Sequence, residues 1–196
     1  MPVVYRNSKM ITVSNSSKEA MQTLGLGKKL GISIINPGVD LSKFKTSNKT
    51  KNPAILYLGR LKPYKSIDRL ITAFSQVAKY IPEATLTIAG EGENRHFLEG
   101  LTHKLNLNKF VRFAGYVSEQ AKADLLAKSW LMVQPSTVEG WGITVIEANA
   151  AGTTVVASDV PGLRDSVRNP HTGLLVTWDN QEKWVDAMVK VIKDQN

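Results

Sequence analysis

Short apolar runs alternate with stretches of helical periodicity along almost the whole chain. The apolar runs predict strands at Met10–Val13, Ile32–Ile35, Ala54–Leu58, Ala84–Ala89, Phe110–Ala114, Trp130–Val133, Thr154–Ala157 and Leu174–Val176. Between them, the apolar spacing predicts helices at Ser16–Leu24, Ser66–Tyr80, Glu93–Leu105, Ser118–Ala127, Gly142–Ala151 and Gln181–Lys193. Short strands that are apolar on both sides and separated by helices are typical of a parallel sheet. The pattern therefore predicts an α/β fold with helices on both faces of the sheet.

A long polar segment interrupts this alternation at residues 37–53, which are rich in Ser, Thr, Lys and Asn. The regular strand–helix–strand order starts only at Ala54, so the preceding strand, helix and strand are predicted to belong to a different unit. We therefore expect two units, residues 1–38 and residues 39–196. In open sheets of this class, ligands bind beyond the carboxyl ends of the strands, and functional residues are expected there.

The composition is that of a globular protein, with 42% hydrophobic and 21% charged residues. No apolar run approaches the ~18 residues of a membrane helix, and the polar first thirty residues do not read as a secretory signal. The chain has no Cys, which excludes disulfides and thiolate nucleophiles. Its three His residues (His96, His103 and His171) have no metal-ligand spacing. These features predict a cytoplasmic protein without a bound metal ion.

The net charge of +8 is placed unevenly along the chain. Residues 1–65 hold 12 Lys and Arg against two acidic residues, a net +10, whereas residues 66–196 hold 13 against 15, a net −2. Such a basic flank indicates a phosphate-bearing partner, an anionic membrane surface or nucleic acid. A solvated linker accounts for part of it, since four lysines share one polar segment: Lys43, Lys45, Lys49 and Lys51. No nucleic-acid motif is present and no aromatic residues interleave the basic run, so we expect no nucleic-acid partner.

Two cations follow the strand that ends at Leu58. Gly59 allows a tight turn at the strand end, and Arg60 and Lys65 then come close to the start of the next predicted helix, near Ser66. Cations beside a helix amino terminus form an anion site. The alternative is that both are ordinary surface residues.

The segment Glu139-Gly140-Trp141-Gly142-Ile143-Thr144 gives a stronger signal. Its two glycines flank a helix start and expose the first backbone N–H groups to a phosphate. The helix that follows is apolar nearly all round and is predicted to be buried, yet it carries Glu147. A buried carboxylate needs partners, which are either protein groups or the hydroxyls of a ligand.

Two further loops follow predicted strands. Gly90-Glu91-Gly92-Glu93 fails as a dinucleotide fingerprint because Arg95 occupies the third glycine position. Gly115-Tyr116-Val117 is either an ordinary turn or a wall for a nucleobase.

In order along the chain, these segments resemble family 4 of the retaining glycosyltransferases (group 1 glycosyl transferases), which have the two-domain GT-B architecture. The resemblance runs from about Lys9 to Lys193. It rests on Ile11-Thr12-Val13-Ser14, Ile35-Asn36-Pro37-Gly38-Val39-Asp40, Gly59-Arg60-Leu61 with Lys65, Ala89-Gly90-Glu91-Gly92, Phe113-Ala114-Gly115-Tyr116-Val117, the pair Glu139 and Glu147 with seven residues between them, Ala148-Asn149-Ala150-Ala151-Gly152, and Val155-Val156-Ala157-Ser158. It implies a Rossmann-like, carboxy-terminal domain that binds the nucleotide-sugar donor.

The resemblance also implies roles by position. Arg60 and Lys65 would bind the donor diphosphate, together with the backbone N–H groups of Gly142, Ile143 and Thr144. The other assignments are Glu147 to the ribose, Glu139 to the transferred sugar as the catalytic residue, and Tyr116 and Val117 to the border of the base. The leaving nucleoside diphosphate gains charge in the transition state, which preorganised cations and a helix terminus stabilise. Enzymes of this architecture typically need no catalytic metal or other cofactor.

This chain departs from the family at a few places: Ser66 replaces the usual Gly, Trp141 replaces Phe, Gly152-Thr153-Thr154 replaces Gly-Thr-Pro, and Pro161-Gly162 replaces a Gly pair. The amino-terminal acceptor domain would precede residue 9, and a carboxy-terminal helix would follow Asn196. The resemblance therefore implies a hexosyltransferase as the complete protein and no transfer by this chain alone.

Several alternatives stay open on the sequence. A nucleotide-sugar epimerase of the same architecture and a non-catalytic nucleotide-binding module remain possible functions. For the basic flank, an anionic membrane surface or a lipid-linked acceptor is the expected partner, which would place the protein at the periphery of the membrane. The base, the sugar and the acceptor are not encoded in any motif that we recognise.

Overall fold

The structure, a computed structural model, describes residues 7–177 and 179–194. The strands are β1 (Met10–Thr12), β2 (Ile32–Ile34), β3 (Ala54–Leu58), β4 (Thr85–Ala89), β5 (Val111–Gly115), β6 (Leu131–Gln134), β7 (Thr154–Ser158) and β8 (Gly173–Val176). The helices are α1 (Asn15–Thr23), α2 (Ile67–Tyr80), α3 (Arg95–Lys104), α4 (Glu119–Lys128), α5 (Ile143–Ala150), α6 (Pro161–Ser166) and α7 (Gln181–Lys193). The predicted strands and helices are confirmed to within a few residues, and α6 is an addition.

The six strands from β3 onward form one parallel sheet in the order β5-β4-β3-β6-β7-β8. The chain builds outward from β3 in one direction and then returns to build outward from β6 in the other. The strand order therefore reverses between β3 and β6, as in the doubly wound nucleotide-binding folds. This confirms the prediction of an α/β fold with a parallel sheet, and it places the expected ligand crevice at the carboxyl ends of β3 and β6.

Alternation along the strands divides the core into two layers. In β3, Ile55 and Tyr57 pack with α2, α3 and α7, whereas Leu56 and Leu58 pack with α4, α5 and α6 on the opposite face. Successive side chains of a strand point to opposite faces, so a strand that is apolar throughout must be covered on both. The predicted helices on both faces are confirmed.

The first two strands form a separate, two-stranded parallel sheet with α1. Helix α1 packs against α6, and the backbone N–H of Ser16 donates to Asp165 Oδ2 at 3.0 Å. The indole of Trp141 donates to Pro37 O at 3.2 Å. These contacts hold the small sheet beside the carboxyl end of the large one. The proposed division at residues 38 and 39 stays a prediction, and residues 1–6 lie outside the described residues.

One lysine of the polar segment does not fit the interpretation of a solvated linker. The ammonium of Lys49 donates to Ala127 O at 3.1 Å, to Gly152 O at 2.9 Å and to Thr153 Oγ1 at 2.7 Å. The first two carbonyls lie at the carboxyl ends of α4 and α5, where unpaired carbonyls and the helix dipole attract a cation. Lys49 therefore ties the segment to the domain, and burial lowers its pKa.

Candidate functional site

A cleft of about 420 Å³ opens where the strand order reverses. Six of the nine predicted site residues line it: Arg60, Lys65, Glu139, Gly142, Ile143 and Thr144. They come from the loop after β3, from the loop after β6 and from the start of α5. Their meeting follows from the topology, because the carboxyl ends of adjacent parallel strands lie at one edge of the sheet.

The loop after β3 is set by close backbone contacts with the loop after β4. A Cβ on Gly90 would lie 1.9 Å from Gly59 O, and a Cβ on Gly92 would lie 2.3 Å from Leu61 O. Leu61 N also donates to Glu91 O at 2.8 Å. The glycines of this Gly-x-Gly segment therefore serve backbone packing, which places the loop that carries Arg60.

Beneath that loop, the fully buried Tyr57 donates its hydroxyl to Arg60 O at 2.9 Å. Burial, with the nearby Glu139 carboxylate adding to it, raises the pKa of Tyr57, so the hydroxyl stays a donor. The guanidinium of Arg60 is exposed to solvent, and its Nη2 donates to the hydroxyl of Tyr64 at 2.8 Å. Arg60 thus reaches the cleft from a fixed backbone.

Lys65 ends a single 3₁₀ turn, Pro63–Lys65, and is buried rather than on the surface. Its ammonium lies 5.2 Å from the centre of the Tyr64 ring and forms an ion pair with Glu139 Oε1. The next residue, Ser66, has φ 50° and ψ 39°, a left-handed conformation. This conformation accounts for the Gly that related sequences are expected to carry at that position.

Glu139 accepts hydrogen bonds from two further side chains that the sequence interpretation did not assign. Gln134 Nε2 donates to Glu139 Oε1 at 2.8 Å, and Ser136 Oγ donates to the same oxygen at 3.4 Å. Gln134 ends β6 with 1% of its surface exposed, and its Oε1 has no hydrogen-bond partner among the described residues. The sequence did contain a signal for Gln134, since it is a polar residue at the end of an apolar strand, at the edge of the sheet where ligands bind.

Helix α5 begins at the floor of the cleft. Its cap Gly142 has φ 83°, and no side chain caps the first turn. The backbone N–H groups of Ile143 and Thr144 come in the first turn, where helices have no internal acceptors for them. Helix α6 supports this turn, because a Cβ on Gly162 would lie 2.1 Å from Glu139 O. This chain has Pro161-Gly162 where the family has a Gly pair. Its one glycine there, Gly162, is at the position that contacts the backbone of Glu139.

Glu147 lies further along α5, with 8% of its surface exposed, and is not among the residues that line the cleft. Its Oε1 accepts from Lys122 Nζ at 2.6 Å, and Lys122 also contacts Glu119 at 3.0 Å. Burial opposes the charge of Lys122, but the two carboxylates outweigh it and raise the pKa of Lys122. The sequence left open whether protein groups or ligand hydroxyls are the partners of Glu147. The structure shows a protein group, the ammonium of Lys122, at one of its two oxygens.

The two residues predicted to border the base lie just before α4, which carries Lys122. Tyr116 is 77% exposed, and Val117 packs partly against the core on the α4 side. Both follow β5 at the ligand edge of the sheet but do not line the 420 Å³ cleft. Their role at the base stays a prediction.

Besides Gln134, the cleft wall includes further residues to which the sequence interpretation gave no role. Val13 and Pro37 come from the small sheet and the segment after it, and Trp141 joins them through its bond to Pro37. Within residues 7–177 and 179–194, no group of three or more His, Cys, Asp or Glu is placed to hold a metal ion. No helix in the same residues is long and apolar enough to span a membrane.

Comparison with known proteins gives consistent matches. A family model described as "Glycosyl transferases group 1" matches residues 39–196. D-inositol 3-phosphate glycosyltransferase of Rhodococcus erythropolis is 30% identical over 97% of this chain and 47% of its own length. Sucrose-phosphate synthase from Thermosynechococcus elongatus superposes with a TM-score of 0.87 at 29% identity, over 97% of this chain and 51% of that one.

Anabaena Alr3699/HepE, solved in complex with UDP-glucose, shares the fold with a TM-score of 0.87 at 24% identity. That match covers 98% of this chain and 56% of that one. The chain therefore spans about half the length of the proteins it matches.

Proposed function

The chain belongs to the group 1 glycosyl transferases, and we propose that it is the donor-binding part of a retaining hexosyltransferase with the GT-B architecture. It binds a nucleoside diphosphate sugar at the carboxyl edge of the large sheet. The complete enzyme transfers the sugar to an acceptor bound by an amino-terminal domain.

One observation carries this proposal: two cations and a helix start without a side-chain cap meet in a single cleft at the reversal of the strand order. Arg60 and the N–H groups of Ile143 and Thr144 are arranged to surround a diphosphate, and Lys65 lies beside them. Such groups favour an anion, because they are donors that are fixed before the ligand arrives. They also stabilise the charge that builds on the nucleoside diphosphate as it leaves.

The remaining roles follow from the position of each side chain around the diphosphate. Glu139, which lines the cleft beside Lys65, contacts the sugar. Glu147 binds the ribose through the oxygen that Lys122 leaves open, and the base extends toward Tyr116 and Val117. Donor binding needs no metal ion in this scheme, since the protein itself supplies the positive groups.

The decisive experiment is a binding panel on this chain. UDP, GDP and ADP, each with and without an attached glucose or mannose, are screened by thermal shift and then titrated calorimetrically with and without EDTA. One nucleoside diphosphate should raise the melting temperature at concentrations above its Kd, whereas NAD and duplex DNA should not. EDTA should leave its affinity unchanged. If no nucleoside diphosphate binds, the proposed function is wrong; if EDTA abolishes binding, the metal-free scheme is wrong.

Turnover is tested separately from binding. We expect this chain alone to release no sugar to an acceptor, and the complete enzyme to form a product with the anomeric configuration of the donor, read by NMR. Binding without transfer by the complete enzyme would favour a non-catalytic nucleotide-binding module. Interconversion of two epimeric nucleotide sugars would favour an epimerase.

A cytoplasmic location at the periphery of an anionic membrane is part of the same proposal. It rests on the net +10 of residues 1–65. Several of those cations, such as Lys49, Lys62 and Lys65, form ion pairs or hydrogen bonds within the fold, so fewer remain to contact lipid. Sedimentation with vesicles containing anionic lipid, against neutral vesicles, measures the contribution of those that remain.

A further inference from the structure

We propose that Lys122 is a positioning residue, which holds the carboxylate of Glu147 in the orientation that accepts hydrogen bonds from the ribose hydroxyls of the donor. This inference rests on the proposed function, and it adds a residue that no motif of the sequence pointed to. Lys122 itself does not touch the nucleotide in this proposal.

The geometry of Lys122 is that of a fixed support. Its ammonium lies 2.6 Å from Glu147 Oε1 and 3.0 Å from Glu119 Oε2, and 5.8 Å from the centre of the Phe44 ring. Its side chain is only 15% exposed, and that of Glu147 only 10%. Lys122 is therefore held from three sides, and it occupies one oxygen of Glu147. No hydrogen bond to the other oxygen occurs within the described part of the chain.

The surroundings of Glu147 make this support necessary. Helix α5 packs against α4, β6 and β7. Strands β6 and β7 face it with apolar side chains, such as Met132 and Val155. Among the described residues, the charged groups recorded at this position come from α4, namely Lys122 and, through it, Glu119. Without Lys122, the buried carboxylate of Glu147 would have no recorded hydrogen-bond partner in the part of the chain that the structure describes to fix its orientation.

The open oxygen of Glu147 suits a ribose. A carboxylate accepts hydrogen bonds, and the ribose hydroxyls can donate them. An ion pair that served stability alone would not make the effect of Lys122 on nucleotide affinity depend on the ribose hydroxyls, and this difference separates the two roles.

The test compares Lys122→Met and Lys122→Arg with the wild-type chain. UDP, GDP and ADP are each titrated, together with the 2′,3′-dideoxy analogue of the nucleotide that binds, and the ratio of variant to wild-type Kd is taken for each ligand. For Lys122→Met we expect a ratio of about ten for the nucleotide with ribose hydroxyls, the size of one lost hydrogen bond to a charged group, and a ratio near one for the dideoxy analogue. Lys122→Arg keeps the charge and should bring both ratios near one.

Two further variants complete the design. Lys128→Met removes an exposed lysine from the same helix and should give ratios near one for both ligands. Glu147→Ala should show the same selectivity between the two ligands, and adding Lys122→Met to it should change the affinities little further, because Lys122 acts through Glu147. Melting temperatures confirm folding, and Lys122→Gln, which keeps a polar side chain without the charge, replaces Lys122→Met if that variant does not fold.

The outcomes are distinct from those of the proposed function. If the wild-type chain binds no nucleoside diphosphate, the proposed function is wrong, and this inference, which rests on it, is wrong as well. If the wild-type chain binds but Lys122→Met weakens both ligands equally, or neither, only the role of Lys122 is overturned. Loss of folding in both uncharged variants assigns Lys122 to stability and also overturns it.

Discussion

Lys65 and Glu139 lie 74 positions apart and form an ion pair at the mouth of the sheet, with side chains only 9% and 16% exposed. The resemblance assigns one of them to the diphosphate and the other to the sugar. They are partners in the structure, so a diphosphate bound as proposed would share Lys65 with Glu139. On the proposed function, the energetics of donor binding therefore depend on this pair as well as on each residue alone.

The diphosphate contacts give the first prediction. Arg60→Ala should weaken nucleoside diphosphate binding by about 1.5–3 kcal/mol, the usual worth of a hydrogen bond to a charged group. Lys65→Met should cost more, because it also leaves the Glu139 carboxylate unpaired beside the diphosphate. The double variant Lys65→Met with Glu139→Gln should recover part of that loss. Calorimetric titration measures all three.

Lys62→Met is the matched control for these cations. Lys62 is close in sequence but pairs with Glu93 and does not line the cleft, so its loss should leave the affinity nearly unchanged. The parent nucleoside, which has no phosphate, should also bind equally to all variants. If the Arg60 and Lys65 variants both bind the diphosphate as tightly as the wild type, neither residue contributes to diphosphate binding.

The second prediction separates the two glutamates by ligand. Ribose is common to the nucleoside diphosphate and its sugar conjugate, so Glu147→Ala should weaken both to a similar degree. The sugar occurs only in the conjugate, so Glu139→Ala should weaken that ligand selectively. The bare diphosphate should bind Glu139→Ala as well as the wild type or slightly better, since Lys65 loses its competing partner. Parallel titrations of both ligands provide the comparison.

Folding must be checked for these variants. Glu147→Ala leaves Lys122 with Glu119 as its remaining recorded partner, which should cost about 1–3 kcal/mol of stability. Equal weakening of both ligands by Glu139→Ala would contradict the sugar contact and would assign Glu139 to the support of Lys65.

The third prediction concerns Ser66, whose φ of 50° is left-handed. A side chain in that conformation costs about 1–3 kcal/mol, whereas Gly adopts it freely at an entropic cost of about 0.5–1 kcal/mol. Ser66→Gly should therefore stabilise the chain by about 1 kcal/mol, a rise of about 2–4 °C in Tm. Ser66→Ala removes the hydroxyl but keeps the Cβ and should give no such gain. A Tm for Ser66→Gly at or below that of Ser66→Ala would rule out relief of backbone strain.

The fourth prediction concerns Lys49 at the ends of α4 and α5. Lys49→Met removes the donor of three hydrogen bonds to groups there, and it should lower the free energy of unfolding by about 1.5–3 kcal/mol. Lys51→Met, two residues away on an exposed side chain, should stay within about 0.5 kcal/mol of the wild type. Chemical denaturation measures the free energy of unfolding of both variants. Equal effects would show that Lys49 is an ordinary solvated lysine of the linker.

Much of the architecture could be read from local pattern. Apolar runs and helical spacing predicted the strands and six of the helices, because these periodicities are properties of short segments. The same pattern led to residues just after strands, and six of the predicted site residues do line one cleft. Helix α6 escaped prediction, since six residues that begin with Pro161-Gly162 contain too little periodicity to recognise.

The partnerships within the site were not encoded in this way. Neither the ion pair of Lys65 with Glu139 nor that of Lys122 with Glu147 has any local signature. The same holds for the hydrogen bond of Gln134 to Glu139 and for the backbone contact of Gly90 with Gly59. Local sequence determined which segments become strands and helices and which residues stand at their ends. Only the tertiary structure decided which of those residues touch, because contacts between distant segments depend on the strand order, the side of each crossover and the packing of helices on the sheet.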